Sequence, residues 1–299
     1  MKTEAPNSAI QLSARQRAAL SLFTNLAVGL LATGLSAFSA FAASDNADNP
    51  PYADGWNDNT NPPADNGGSG FQPWINLENT GGSKYIANVS NGGRQVDGND
   101  SFGIMAASGT GENGYAEGRP LVTPITAGIY TVTARFDLAN TQGFSGFNLK
   151  TAAGTQFGTD AFELLAFGMF PTLSNPNNTI GAFGAATSTI DLGHDIRGDI
   201  IQFSLSFDTS GTTSYTLTAT DVTNFATGST SGQLKFAGSP VDVLGFGNFN
   251  SGTNQDLIFD SIAIEAVPEP ATWLAAELAI AAVGYLQLQR FARLVRRRA

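Results

Sequence analysis

Residues 199–208 have the sequence DIIQFSLSFD, in which apolar and polar side chains alternate. Successive side chains of a β-strand point to opposite faces of a sheet, so this spacing predicts a strand with one buried face and one solvated face. The side chains expected on the buried face are those of Ile201, Phe203, Leu205 and Phe207.

The same alternation recurs on both sides of this stretch, between turns rich in Gly and Asn. Further strands are predicted at 101–106, 128–138, 213–221, 242–249 and 257–265. The inward side chains expected in them are Tyr130, Val132, Ala134, Phe136, Leu138, Tyr215, Leu217, Ala219, Leu257, Phe259 and either Ile262 or Ile264. Residues 161–170 are apolar on both sides, which fits a fully buried strand or a short helix. The pattern predicts an all-β fold, an antiparallel β-sandwich whose strand rhythm resembles the jelly rolls of lectins.

The N-terminus has the order of a secretory signal peptide. Residues 1–17 are basic, residues 18–35 are mostly apolar, and Ala40-Phe41-Ala42 has the small-x-small pattern of a signal-peptidase site. We therefore expect signal peptidase to cut after Ala42 and to remove residues 1–42. An uncleaved N-terminal anchor is the alternative.

Residues 43–70 are rich in Asp, Asn, Pro and Gly and show no apolar period, which predicts a loop or linker ahead of a sandwich at 71–266. Carboxylate oxygens suit Ca²⁺, but their spacing does not match an EF-hand loop. Calcium is the one cofactor left open, and a solvated segment is the alternative. The candidate ligands are Asp45, Asp48, Asp54, Asp58 and Asp65.

Residues 267–299 have three parts in order. The motif Pro268-Glu269-Pro270 comes first, and the mostly apolar residues 271–289 follow. As a helix this span is about 28 Å long at about 1.5 Å per residue, close to the thickness of a bilayer core. Taken alone, the pattern predicts a transmembrane anchor with its basic end in the cytoplasm, or an amphipathic helix. The basic end consists of Arg290, Arg293, Arg296, Arg297 and Arg298.

This tail resembles a PEP-CTERM sorting signal, although Glu277 interrupts its apolar span. The resemblance implies that an exosortase-type membrane peptidase recognises and processes the tail. It also implies a protein that is exported through the inner membrane, anchored there for a time, and then delivered to the cell surface or the extracellular matrix.

The net charge and the absence of cysteine exclude several classes of function. Residues 43–266 contain 22 acidic and seven basic residues, a net formal charge of −15. Such a domain repels phosphate backbones, so no nucleic-acid partner is expected. The chain has no cysteine, which excludes disulfides, thiolate metal sites and cysteine catalysis.

No catalytic constellation is evident. The one histidine, His194, lies in a polar segment that contains Gly and is interpreted as a solvent-facing loop residue. Without a second histidine or a cysteine, no metal site is expected. No Gly-x-Ser-x-Gly elbow surrounds a serine nucleophile, and scattered carboxylates do not by themselves indicate a glycosidase. We therefore expect that the protein is not an enzyme and has no catalytic residues.

The remaining candidates are aromatic. Trp56, Trp74 and Tyr115 lie among Gly and Asn residues and are candidates for stacking on sugar rings, whereas buried tryptophans would anchor loops. The favoured hypothesis is an exported structural or adhesive surface protein. The alternative is a lectin-like carbohydrate-binding module that contacts extracellular polysaccharide, and a secreted hydrolase is a third hypothesis.

Overall fold

The structure is a computed structural model. The residues that it describes are 42–56, 66–89, 95–96, 98–106, 114–137, 144–153, 161–170, 177–211, 213–249, 256–266 and 283–284. The signal-peptide and sorting-tail predictions fall outside these residues, apart from Ala42 and 283–284. Among the described residues, no helix is long and apolar enough to cross a membrane.

The described part of residues 40–267, a compact unit, consists of strands and one short 3-10 helix at Pro50–Tyr52. In chain order the strands are β1 (Ala42–Asp45), β2 (Ile75–Asn79), β3 (Gly82–Ala87), β4 (Ser101–Ala106), β5 (Tyr115–Ile125), β6 (Ala127–Asp137), β7 (Ser145–Lys150), β8 (Glu163–Met169), β9 (Thr179–Phe183), β10 (Thr187–Asp191), β11 (Ile200–Asp208), β12 (Ser214–Asp221), β13 (Thr227–Gln233), β14 (Val241–Asn248) and β15 (Asp256–Ala266).

The strands form two antiparallel sheets. The eight-stranded sheet has the order β13-β12-β11-β6-β15-β4-β3, and β1 also pairs with β15. The seven-stranded sheet has the order β10-β9-β8-β7-β14-β5-β2. The inner faces of the two sheets meet in a core of aromatic rings, which confirms the predicted antiparallel β-sandwich. Phe246 of one sheet stacks on Phe259 of the other with ring centroids 4.5 Å apart.

Alternation identified the buried face of the central strands correctly. The predicted inward residues of β6, β11 and β12 are buried as far as the described residues extend, and Leu138 lies outside them. In β15, both Ile262 and Ile264 are buried. The pairing of β15 with β6 shifts register between Asp260 and Ala263, and Ser261 has a positive φ of 55°. Strict alternation after Phe259 would point Ile262 and Ile264 outward. The bulge at Ser261 shifts the alternation by one residue, so both side chains point into the core.

The apolar stretch at 161–170 forms β8, and every residue from Glu163 to Met169 is buried. The prediction of a fully buried strand is therefore confirmed, and the alternative of a short helix is wrong. Both faces of β8 are covered, which explains why the stretch shows no alternation.

Of the two alternatives predicted for 43–70, a loop or a linker, the described part is mostly a loop that packs on the sandwich, and the linker alternative is wrong there. β1 pairs with β15, and the buried Tyr52 donates a hydrogen bond of 2.7 Å from its hydroxyl to Asp45 Oδ2. The fully buried guanidinium of Arg119 lies 2.7 Å from the same carboxylate. The segment is thus held to the sandwich by the buried ion pair of Arg119 with Asp45 and by the pairing of β1 with β15.

The same contacts bear on the calcium hypothesis. Asp45 cannot serve as a calcium ligand here, because Arg119, Tyr52 and Asn49 already bond its two oxygens. Asp48 accepts a hydrogen bond of 3.1 Å from the backbone N–H of Asp100. The candidates at positions 58 and 65 lie outside the described residues.

Candidate functional site

The face of the seven-stranded sheet that points away from the eight-stranded sheet is called here the outer face. Its residues follow from alternation along the central strands. In β7, Phe147 packs against Phe203 and Phe259 of the opposite sheet. Its neighbours in the strand, Gly146 and Asn148, therefore lie on the outer face.

Glycines line up across four adjacent strands of the outer face. Gly247 of β14 pairs with Gly146 of β7, Gly146 pairs with Gly168 of β8, and Gly168 pairs with Gly181 of β9. We call these four residues the glycine row. Glycine inside a strand weakens it and marks a place where another backbone or a ligand approaches closely.

At the centre of the row, glycine is required by the backbone. A Cβ atom added to Gly146 would lie 2.2 Å from the carbonyl oxygen of Phe167, and one added to Gly168 would lie 2.3 Å from that of Ser145. Gly168 also has a φ of +149°, which side chains rarely tolerate. The glycines therefore contribute no side chains along this line, and all four of them are buried.

A second row, of phenylalanines, lies beside the first. Phe249, Phe144, Phe170 and Phe183 each stand two positions from a glycine of the row, and all four side chains are half-buried. The rings of Phe144 and Phe170 lie 4.2 Å apart between centroids. Phe249 and Phe144 are among the partly buried side chains that pack against a small cluster of Leu77 and Ala116. We call these four residues the phenylalanine row.

The last ring of the row reaches across the glycines. Phe183 pairs with Ala166, so it lies on the opposite side of the Gly168–Gly181 pair from Phe170. The rings of Phe170 and Phe183 are nevertheless 3.9 Å apart. The two side chains therefore meet over the bare backbone, where a larger residue would block them.

A group of polar side chains lies at one end of the outer face. Asn148 donates a hydrogen bond of 3.0 Å from Nδ2 to Glu163 Oε2. Glu163 Oε1 lies 2.5 Å from the ammonium of Lys235. Asn148, Glu163 and Lys150 are fully buried, and Lys150 pairs with Glu163 across the strands.

One acceptor of this polar group has no partner. The side-chain oxygen Oδ1 of Asn148 is buried and forms no hydrogen bond within the described part of the chain. A buried carbonyl oxygen without a partner costs free energy and is uncommon in folded proteins. The outer face thus combines half-buried rings, a row of buried glycines and a buried, unpaired acceptor within a few residues of one another.

The aromatic residues predicted to contact glycans are not on this face. Trp56, Trp74 and Tyr115 are only 2%, 7% and 6% exposed. Trp56 and Trp74 are in contact, with ring centroids 4.7 Å apart, and Trp74 donates from Nε1 to the hydroxyl of Tyr52 at 2.8 Å. The prediction that these three side chains form an exposed sugar platform is wrong, because they anchor the N-terminal segment and the sheet edge in the core.

The phenylalanine row was missed, although the sequence contains a signal for it. Gly-x-Phe occurs at 168–170, 181–183 and 247–249, and its reverse, Phe-x-Gly, occurs at 144–146. A residue two positions along a strand lies on the same face, so each unit predicts a ring beside a bare patch. Only the pairing of the strands shows that the four units are neighbours.

No protein-family model and no curated protein matches the chain. Solved structures similar to it include lectin II from Ulex europaeus, with 11% identity and a TM-score of 0.42 over 64% of this chain and 92% of that chain. The T. cruzi calreticulin globular domain has 12% identity and a TM-score of 0.43 over 73% and 95%. The endo-beta-1,4-glucuronan lyase from the fungus Trichoderma reesei has 10% identity and a TM-score of 0.41 over 67% and 92%. With TM-scores this low, these matches carry no argument about function, and the fold class follows from the strand pairing described above.

Proposed function

We propose that the sandwich is a carbohydrate-binding module that uses the outer face of its seven-stranded sheet. The observation that supports this most is the half-buried phenylalanine row over the bare glycine row, next to the unpaired Oδ1 of Asn148. Ligand sites combine aromatic walls with a few placed polar groups.

The chemistry of a sugar ring matches both parts of this face. The C–H face of a pyranose is apolar and stacks on aromatic rings, while its hydroxyl groups donate hydrogen bonds to acceptors such as a carboxamide oxygen. The rings of Phe170 and Phe183 cover the Gly168–Gly181 pair, so a sugar would stack on these rings and not on the backbone beneath them. Phe170 and Phe183 supply the stacking surface, and Asn148 supplies the acceptor.

The length of the row favours a chain of sugars over a single one. It crosses four strands, and strands lie about 4.8 Å apart, so its ends are separated by about 14 Å. A monosaccharide would cover only part of this length. We therefore expect affinity to rise with the length of an oligosaccharide.

The proposal joins the two leading hypotheses from the sequence. A module that binds extracellular polysaccharide would give an exported protein its structural or adhesive role at the cell surface. The export step is supported by the residue patterns of 1–42 and 267–299, which lie outside the described residues apart from Ala42 and 283–284.

A glycan array tests the proposal. The purified full chain is compared with Phe170→Ala and Phe183→Ala, and with Phe225→Ala as the control. Phe225 is 88% exposed and lies in the β12–β13 turn, so it offers an equally large ring away from the outer face. Loss of one stacked ring removes about 0.5–1.5 kcal/mol, which corresponds to an affinity lower by up to about tenfold.

Binding that falls in both outer-face variants and stays unchanged in Phe225→Ala supports the assignment. Two results would contradict it. One is a wild-type chain that binds no glycan on the array, and the other is a signal that Phe170→Ala and Phe183→Ala leave intact.

A further inference from the structure

Four polar side chains meet where the β10–β11 connection lies against the β12–β13 turn. His194 and Asp199 belong to the connection, Asp221 ends β12, and Asn224 lies in the turn. We call these residues the His194 cluster. None of them belongs to the glycine row or the phenylalanine row, and Asp221 lies in β12 of the eight-stranded sheet.

The cluster brings metal-ligating atoms together. His194 Nε2 lies 2.6 Å from Asp221 Oδ2 and 3.6 Å from Asp199 Oδ2. One ligand atom from each of these three residues lies within 4.8 Å of the others. The structure places His194 in a loop, as the sequence indicates, but its side chain is only 30% exposed and contacts two carboxylates, which the sequence does not indicate.

The backbone fixes which nitrogen of His194 faces the carboxylates. Nδ1 lies 2.9 Å from the carbonyl oxygen of Leu192. A carbonyl oxygen only accepts, so Nδ1 carries the hydrogen, and Nε2 of the neutral ring presents a lone pair to Asp221. The lone pair of His194 Nε2 and the carboxylate oxygen of Asp221 repel each other at 2.6 Å unless a proton or a metal ion lies between them. Histidine ligands of metal ions commonly donate their other ring N–H to a backbone carbonyl in this way.

The charge of the cluster also calls for a cation. Asp199 and Asp221 contribute two negative charges, and within the described residues neither forms an ion pair with Lys or Arg. The carboxylate of Asp221 is fully buried, and it accepts hydrogen bonds from Thr223 N, Asn224 N and Asn224 Nδ2, which are neutral donors. A single proton on His194 would leave one negative charge, whereas a divalent cation would balance both carboxylates.

We infer that His194, Asp199 and Asp221 bind a divalent transition-metal ion, with Zn²⁺ as the best match. Zn²⁺ takes imidazole nitrogen together with carboxylate oxygen, whereas Ca²⁺ and Mg²⁺ prefer all-oxygen sites. Asn224 donates from Nδ2 to Asp199 Oδ2 at 2.9 Å and to Asp221 Oδ2 at 3.1 Å. Rotation of this amide presents its oxygen to the same point and supplies a fourth ligand. The ion would cross-link the β10–β11 connection and the β12–β13 turn.

Calorimetric titration of the chelator-treated full chain with Zn²⁺ at pH 7.5 tests the inference. The variants are His194→Gln and Asp199→Asn. Asp221 is left unchanged because it also caps the turn by accepting hydrogen bonds from the backbone N–H groups of Thr223 and Asn224. The control is Asp195→Asn, which removes a neighbouring carboxylate that pairs with Arg197 instead. We expect one Zn²⁺ per chain, at least tenfold weaker binding in both variants, and unchanged binding in the control.

Circular dichroism of each variant shows that it is folded before binding is compared. Absence of Zn²⁺ binding by the wild-type chain would overturn the inference and leave the cluster as an ion pair held by a proton. Equal Zn²⁺ affinity in the wild type and all three variants would place the ion elsewhere. So would a loss of affinity in Asp195→Asn as large as that in His194→Gln and Asp199→Asn. Tighter binding of Ca²⁺ than of Zn²⁺ would also overturn it.

Discussion

At the residue scale, one carboxylate holds the turn after β11. Asp208 Oδ1 accepts hydrogen bonds from Ser210 N at 2.8 Å, Ser210 Oγ at 2.7 Å and Gly211 N at 3.2 Å. These bonds, with the Ser210 hydroxyl foremost, hold the pKa of Asp208 below its ordinary value of 3.8. A carboxyl group with a lowered pKa stabilises the fold above its ordinary pKa, and this contribution is lost as the pH falls through the folded-state pKa.

We therefore predict that Asp208→Ala lowers the free energy of unfolding by about 1 kcal/mol at pH 7. The deficit relative to wild type should shrink as the pH falls below 3.8 and through the lowered pKa of folded Asp208, because the wild-type chain then loses the charge as well. Asp208→Asn keeps an acceptor oxygen without the charge, so it should lose less. Urea unfolding at pH 7 and pH 3 measures both, and a deficit of the same size at the two pH values would contradict the role of the charge.

Trp56 gives a second residue-scale prediction. Its ring contacts Trp74, Phe102 and Phe259 in the core. Trp56→Ala should cost about 3–5 kcal/mol of stability, as expected for a buried aromatic side chain. Phe225→Ala, at an exposed position, should have little effect. Thermal unfolding compares the two, and a neutral result for Trp56→Ala would mean that the N-terminal segment does not pack as described.

At the scale of elements, β1 and the 3-10 helix complete the sandwich. Ala43, Tyr52 and Trp56 belong to the main core, and the backbone N–H of Ala47 donates to the buried Asp260 at 2.8 Å. A fragment of residues 43–266 should unfold in one cooperative transition. A fragment of residues 71–266 should be much less stable, because it loses these side chains and leaves Arg119 buried without Asp45. Equal unfolding midpoints for the two fragments would show that the segment is dispensable.

The strands differ in how far the sequence predicts them. Alternation predicts β6, β11 and β12, which have one buried and one exposed face, to within about a residue. It fails for β7, whose residues are all buried, and for β13, which is TGSTSGQ and has no apolar side chain to bury. Periodicity in a single strand reports only the burial of that strand.

The candidate site depends on contacts that no local pattern contains. Phe144 and Phe249 lie 105 positions apart in the sequence, and they become neighbours only because β7 pairs with β14. In the same way, His194 and Asp221 meet across two connections. Trp56 and Trp74 misled the prediction, because local Gly and Asn content does not show which loops fold back onto the core.

At the scale of the whole molecule, we propose that the sandwich is exported and held at the membrane until its tail is processed. In this proposal the motif Pro268-Glu269-Pro270 is what a membrane peptidase recognises, because two prolines disfavour a helix interior at these positions. The arginines at the C-terminal end resist crossing to the outer side. Recognition and retention thus depend on different residues.

Two sets of changes separate these roles. Replacement of the three motif residues by Ala should leave full-length protein in the membrane fraction, because anchoring does not require the motif. Replacement of the five arginines by Ser should weaken retention, so that full-length protein leaves the membrane. Fractionation with mass analysis of the C-terminus measures both, and wild-type surface protein that still contains Arg296 would contradict processing.

Amide chemical shifts would report binding of a glycan over the glycine row at the level of single residues. Glycine amides are resolved from most others in a ¹⁵N–¹H correlation spectrum, and the oligosaccharide that scores best on the array is the ligand to titrate. The account predicts that the shifts of Gly146, Gly168, Gly181 and Gly247 change together on addition of the glycan, while those of Gly228 and Gly232 in β13 stay constant. Shifts confined to other parts of the sandwich, with the glycine row unchanged, would contradict it.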